Sequence, residues 1–204
     1  MSMMIPNLEG YFREFVPTRD ATLLALEEEA RQQEIPIIGP VVGELLYVLA
    51  LASQARQILE LGTATGYSAI YLARACEVSE GRVVTLERDE SMARRAKANF
   101  QEAGVEHRIE IIVGDALQEM EKMSGPFDFI FMDIDKENYF HALPYCQKLL
   151  RSGGLLVADN VGFEGADSFN QAVADHPEWR TVHLLCLLPL HSPEQDGLCL
   201  ALRV

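Results

Sequence analysis

A chain of 204 residues with 49% hydrophobic and 24% charged residues has the length and composition of one globular domain with a sizeable core. Its 31 acidic residues against 17 Lys and Arg leave a net charge of −14, which argues against nucleic acid and an anionic membrane surface, since both recruit a surplus of cations. No run approaches the roughly 18 apolar residues of a membrane span. The opening Met1-Ser2-Met3-Met4-Ile5-Pro6 lacks a basic stretch and a long apolar core, so no signal peptide is expected. Cys76, Cys146, Cys186 and Cys199 are scattered through apolar segments without zinc spacing, and they read as buried reduced thiols of a cytoplasmic protein.

Residues 1–55 read as an N-terminal helical region, with apolar residues at three- and four-residue spacing over Gly43–Ser53. From residue 56 to 204 strands and helices alternate, the pattern of a Rossmann-like, largely parallel α/β sheet with helices on both faces. The first strand, Gln57–Leu61, runs through Gly62-Thr63-Ala64-Thr65-Gly66 into a helix over Tyr67–Cys76. Glycines at such a turn permit positive φ and close backbone approach to a ligand. A dinucleotide fingerprint would read G-x-G-x-x-G, but counting from Gly62 its second and third glycine positions are Ala64 and Tyr67, so it fails. The spacing fits instead the nucleoside-and-amino-acid cradle of S-adenosylmethionine enzymes. In that reading Glu60, Gly62, Thr63 and Gly66 build the methionine side, and Ser68 meets the carboxylate at the helix N-terminus.

Glu87 closes the second strand, Arg82–Glu87, where two acceptor oxygens suit the two ribose hydroxyls. Asp89 caps a helix over Asp89–Ala103 that stops before Gly104. The third strand, Ile109–Val113, ends in Gly114-Asp115-Ala116, where Asp115 is placed to accept from the adenine amino group. Acidic residues at successive strand ends make the cradle far more specific than a lone glycine loop.

The next two strands, Phe127–Asp133 and Gly154–Asp159, are continuous apolar runs of the buried parallel kind, and each ends in oxygen ligands. Ligands of an open α/β sheet bind outside the carboxyl ends of its strands. Asp133, Asp159 and Asn160 are therefore expected to converge as three hard oxygen ligands, a magnesium-type set, with Lys136 beside them as a base. Between them a helix over Tyr139–Leu150 is expected to stop at the glycine pair 153–154. The last two strands, Thr181–Leu187 and Leu198–Val204, are separated by Pro189–Asp196, too short for a crossover helix. They should pair antiparallel, giving seven strands with the reversed last one at the edge.

With these motifs in place, the chain resembles the metal-dependent O-methyltransferases of the catechol and caffeoyl-CoA type, from about Glu34 to Val204. The resemblance rests on Leu59-Glu60-Leu61-Gly62-Thr63 with Gly66-Tyr67-Ser68, Leu86-Glu87-Arg88-Asp89, Gly114-Asp115-Ala116, Met132-Asp133-Ile134-Asp135-Lys136 with Tyr139, Gly153-Gly154-Leu155, Ala158-Asp159-Asn160-Val161, and Asp196-Gly197. It implies the class I methyltransferase fold, S-adenosylmethionine as methyl donor, and a divalent cation, usually Mg²⁺. The cation would sit on Asp133, Asp159 and Asn160, with Asp133 also bordering the donor and Lys136 as the base. It further implies an aromatic vicinal-diol acceptor and a homodimer. The rival readings are a metal-independent methyltransferase and a non-catalytic S-adenosylmethionine-binding protein. Where the plant caffeoyl-CoA enzymes carry Trp, this chain has Val161-Gly162-Phe163, so Phe163 either walls the acceptor or packs elsewhere. The segment from Ile35 to Gly43 lacks the Lys of the catechol enzymes, and the Pro189–Asp196 loop, which includes His191, is expected to border the pocket.

Overall fold

The computed structural model describes residues 3–204. Seven strands form one sheet in the order β3-β2-β1-β4-β5-β7-β6. β1 (Gln57–Leu61), β2 (Arg82–Glu87) and β3 (Ile109–Val113) have the bounds their apolar runs predict, and β4 is Phe127–Met132. β1 to β5 all run parallel to one another. The last strand, β7 (Gln195–Arg203), is antiparallel to β5 (Leu150–Ala158) on one side and to β6 (Trp179–Leu187) on the other. The reversed strand is therefore not at the edge as expected: β7 is inserted between β5 and β6, and β6 forms the edge.

Side chains alternate along each strand, and the two faces bury separate cores. Ile58, Val83, Phe129, Phe131 and Val157 pack with Leu46 of α3 (Gly39–Ala52), Ile70 of α4 (Tyr67–Ser79) and Phe100 of α5 (Glu90–Glu102). Leu23 and Leu26 of α2 (Ala21–Gln33) join that face, while α1 (Leu8–Arg13) buries no residue. Leu59, Leu61, Leu86, Ile130, Met132 and Leu156 pack on the other face. Their partners are Met120 of α6 (Ala116–Lys122), Leu143 of α7 (Tyr139–Leu149) and Phe169 of α8 (Asp167–Asp175). No helix among the described residues is long and apolar enough to cross a membrane.

Several element ends differ from expectation, among them β6, which starts at Trp179, and β7, which runs from Gln195 to Arg203. α3 starts four residues earlier than the periodicity from Gly43 predicts, because Pro40 is tolerated in a first turn that has no N–H partner to lose. α7 has no glycine stop: Leu150 turns extended and begins β5 at once. Arg151–Gly154 are then absorbed as an irregularity between the pairs Phe127–Leu150 and Phe129–Leu155, with Gly153 at φ +73°. At the opposite end of the sheet from the glycine loop, Asp128 ties β4 to its neighbours. Its Oδ2 accepts from the Arg56 and Gln57 N–H groups, both at 2.8 Å, and its Oδ1 from Arg151 Nε at 2.7 Å.

Candidate active site

β1 and β4 are neighbours, and strand order reverses between them, so their carboxyl ends flank a crevice. A cavity of about 370 Å³ opens there, lined by Gly62, Thr63, Ser68, Glu87, Asp115, Ala116 and Asp133. Gly62 has φ +95°, and a Cβ on it would lie 2.1 Å from the Asp133 carbonyl oxygen. Only glycine lets the loop after β1 lie against the end of β4. Gly66 does not face the cavity; at φ +89° it packs behind the loop, where a Cβ would meet the Phe100 ring at 2.3 Å.

Glu87 organises the loop. Its Oε2 accepts from the Thr63 N–H at 3.2 Å and the Ala64 N–H at 2.8 Å, and its Oε1 from the Asp89 N–H at 2.8 Å. Ser68 lies in the first turn of α4 and lines the cavity. Asp115 caps α6 by accepting from the Gln118 N–H at 3.1 Å through Oδ1, which leaves Oδ2 for another donor. Glu60 is recessed beneath the loop with no exposed surface and is not part of the cavity wall. Its Oε2 accepts from Thr85 Oγ1 at 2.6 Å, and the Thr63 hydroxyl lies 2.5 Å from that of Thr85. Burial pushes the Glu60 carboxyl up to about 7, and the nearby Asp133 and Glu87 charges act in the same direction.

A second cavity of about 200 Å³ is lined by Asp133, Lys136, Asp159, Asn160, Phe163 and His191 together with Pro36 and Ile37. It shares Asp133, Pro36 and Ile37 with the first. The pairing of Met132 with Ala158 brings the two ligand-bearing strand ends side by side. Tyr139, fully buried, lies with its hydroxyl 3.1 Å from the Met132 carbonyl and 2.9 Å from that of Asp159, so its role is structural. Lys136 Nζ donates to Asp133 Oδ1 at 2.6 Å and to the Ile134 carbonyl at 3.0 Å. Burial and the Asp159 charge push the Asp133 carboxyl up, against the pull of Lys136. Asp135 faces away, pairing with Arg88 at 2.5 Å on the rim of the larger cavity. Phe163, half exposed, lines the smaller cavity.

Two groups escape a reading by strand ends alone. His191 Nε2 is 2.8 Å from Asp159 Oδ2, with both side chains 1% exposed, and its Nδ1 is 2.6 Å from the Pro193 carbonyl. Both partners can only accept, so each ring nitrogen donates. Burial alone would lower the His191 pKa, but the hydrogen bond and charge of Asp159 outweigh it and raise it. Asp196 Oδ2 accepts from Asn160 Nδ2 at 2.6 Å. Asn160 sits at φ +52°, a left-handed conformation that Asn tolerates better than most residues. Its NH₂ being engaged by Asp196, the amide oxygen is the end left free. Two carboxylates and an amide oxygen are hard donors that fit a divalent cation such as Mg²⁺. Among the described residues no group of three His, Cys, Asp or Glu side chains is disposed to hold a metal.

A family model described as O-methyltransferase matches residues 18–187. The chain is 33% identical to a catechol O-methyltransferase of Niastella koreensis, over 98% of both chains. It is 39% identical to a catechol O-methyltransferase of Mycobacterium tuberculosis, over 76% of this chain and 72% of that one. Among solved structures, it superposes with a TM-score of 0.86 on the Streptomyces achromogenes O-methyltransferase of tomaymycin synthesis in complex with S-adenosylmethionine. That match is 31% identical and covers 97% of this chain and 96% of the other. An O-methyltransferase from Bacillus cereus in complex with S-adenosylhomocysteine also gives 0.86, at 30% identity and 97% coverage of each chain.

Proposed function

Since this chain belongs to the O-methyltransferase family, we propose that it moves the methyl group of S-adenosylmethionine to one hydroxyl of a small aromatic vicinal diol, assisted by a divalent cation. The observation that carries this reading is the pair of adjoining cavities with Asp133 as their common wall. One is built from donor-binding loops, and the other from hard oxygen donors and an amine.

In the larger cavity the loop at Gly62 and Thr63 accommodates the methionine moiety, with Ser68 bonding its carboxylate, Glu87 the ribose hydroxyls and Asp115 the adenine amino group. Gly66 and Glu60 shape that loop from behind. Ala116 completes the wall. In the smaller cavity Asp133, Asp159 and Asn160 hold the cation, Mg²⁺ being the ion their hardness favours. When bound, it supplies positive charge that favours the ionised form of the acceptor hydroxyl. The attacking oxygen forms its bond to the methyl carbon as the carbon–sulfur bond breaks. The hydroxyl proton passes to Lys136 in its neutral amine form, whose Nζ lines the smaller cavity beside Asp133. Holding the two reactants in neighbouring cavities turns an encounter into a unimolecular step, the largest source of rate in such a site.

A cavity of about 200 Å³ suits a single ring, and the net charge of −14 disfavours a polyanionic CoA ester. We extend the reading to a cytoplasmic homodimer, whose mass sedimentation velocity would measure. The function is tested by radiolabelled methyl transfer to a panel of catechols, with Mg²⁺ and with chelator. Labelled product that depends on the metal is expected. Product formed equally well in chelator would support the metal-independent rival, and donor binding without transfer to any panel member the non-catalytic one.

A further inference from the structure

We infer that His191 and Asp196, delivered by the turn between β6 and β7 and the start of β7, are positioning residues that orient the two cation ligands at the end of β5. The inference rests on the metal reading above and adds to it the residues that set the ligands' geometry.

The end of β5 offers two flexible donors. Asp159 can rotate about its carboxyl bond, and Asn160 can present either its oxygen or its NH₂ to the cavity. Only one choice of each makes a cation site. His191 removes the first freedom. Asp159 Oδ1 accepts from the Asn160 N–H at 2.8 Å, and His191 Nε2 donates to Oδ2 at 2.8 Å, so both oxygens are held and the carboxylate plane is set. The imidazole is itself held at Nδ1 by the Pro193 carbonyl. Its backbone N–H donates to the Leu188 carbonyl at 3.0 Å, and the Leu188 N–H donates to the Glu194 carbonyl at 2.7 Å. The ring is thus placed by a hydrogen-bonded turn.

Asp196 removes the second freedom. Its Oδ1 accepts from the Gly162 N–H at 3.1 Å and the Gly197 N–H at 2.6 Å, and Oδ2 faces Asn160 Nδ2. A carboxylate has only acceptors to offer, so the amide must turn its NH₂ toward Asp196 and leave its oxygen for a cation. The Ser192 carbonyl, 3.4 Å from the same nitrogen, demands the same orientation. Partners that fix a ligand's orientation in this way typically govern metal affinity by about 10- to 100-fold when removed.

Full-length wild type, His191→Phe, His191→Gln and Asp196→Asn are titrated with Mn²⁺ in the presence of S-adenosylhomocysteine, free Mn²⁺ being read by electron paramagnetic resonance. S-adenosylhomocysteine affinity is measured in parallel by calorimetry. His191→Phe keeps a planar ring but loses both donors. His191→Gln restores one N–H donor toward Asp159. In Asp196→Asn the Gly162 and Gly197 N–H groups hold the new amide's oxygen, so its NH₂ faces Asn160 and turns that amide over. Expected is a loss of Mn²⁺ affinity of about 10- to 100-fold in His191→Phe and Asp196→Asn, recovery of most of it in His191→Gln, and unchanged S-adenosylhomocysteine affinity throughout. Wild-type-like Mn²⁺ binding in His191→Phe and Asp196→Asn overturns the positioning role and leaves the metal reading intact. Loss of both affinities in all three variants also overturns it, because a merely structural turn behaves so. Wild-type protein that binds no Mn²⁺ overturns the metal reading and this inference with it.

Discussion

Glu60→Gln should make this protein more stable above neutral pH and leave it unchanged in mild acid. The carboxyl is fully buried, with the Thr85 hydroxyl bonded to Oε2 and no partner on Oε1. Desolvation disfavours its charged form and raises its pKa from the ordinary 4.5 to about 7 in the folded state. A raised acid is protonated in the folded protein over a range where the unfolded chain has already ionised. Its contribution to stability is therefore complete below 4.5, falls as pH rises toward 7, and is gone above that. The interval from 4.5 to about 7 corresponds to about 3 kcal/mol. Gln mimics the protonated carboxyl in shape and cannot ionise. Urea unfolding of both proteins without cofactor, at pH 4, 5, 6, 7 and 8, should give nearly equal stabilities at pH 4. The variant's advantage should grow to about 3 kcal/mol by pH 8. A difference that does not vary between pH 5 and 8, or a wild type favoured at pH 8, would refute the argument that burial dominates this carboxyl.

Asp128 should behave in the opposite sense. Burial alone would raise its pKa, but Arg151 and the Arg56 and Gln57 N–H groups overcome that and lower it below the ordinary 3.8. The stability it provides is present above 3.8 and lost as pH falls through the folded value, so Asp128→Asn should cost about 1–3 kcal/mol at pH 7 and much less near pH 3, by urea unfolding. Gly62→Ala forces a side chain at φ +95° against the Asp133 carbonyl. It should lower stability by on the order of 3 kcal/mol and abolish calorimetrically detected donor binding; a variant with wild-type affinity would contradict the close approach of the two loops. Lys136→Ala should reduce turnover by about 10²- to 10⁴-fold with S-adenosylmethionine affinity retained, and unchanged turnover would remove Lys136 from the role of base.

Much of this fold is legible in the order of its residues. β1, β2 and β3 begin and end where their apolar runs do, because each run is closed by a glycine or an acid. The convergence of Asp133, Asp159 and Asn160 follows from the same logic, since parallel neighbours end on the same side of a sheet. The start of β5 is not legible in that way: a glycine pair that reads as a helix stop serves an irregularity within the strand. Nor is the place of β7, since a short connection implies an antiparallel partner but does not say on which side of it the sheet continues.

The sequence by itself determined which residues stand at the strand ends and what chemistry they offer, because hydrophobic periodicity and turn chemistry are local and operate within about ten residues. Only the tertiary structure decided how those residues are used. It recessed Glu60 beneath the loop and spent Glu87 partly on the amides of Thr63 and Ala64. It also set His191 against Asp159 and Asp196 against Asn160, across 32 and 36 residues of chain. No periodicity encodes such pairings. They follow from inserting β7 between β5 and β6, which carries the preceding turn onto the end of β5, where buried donors and acceptors must then find one another.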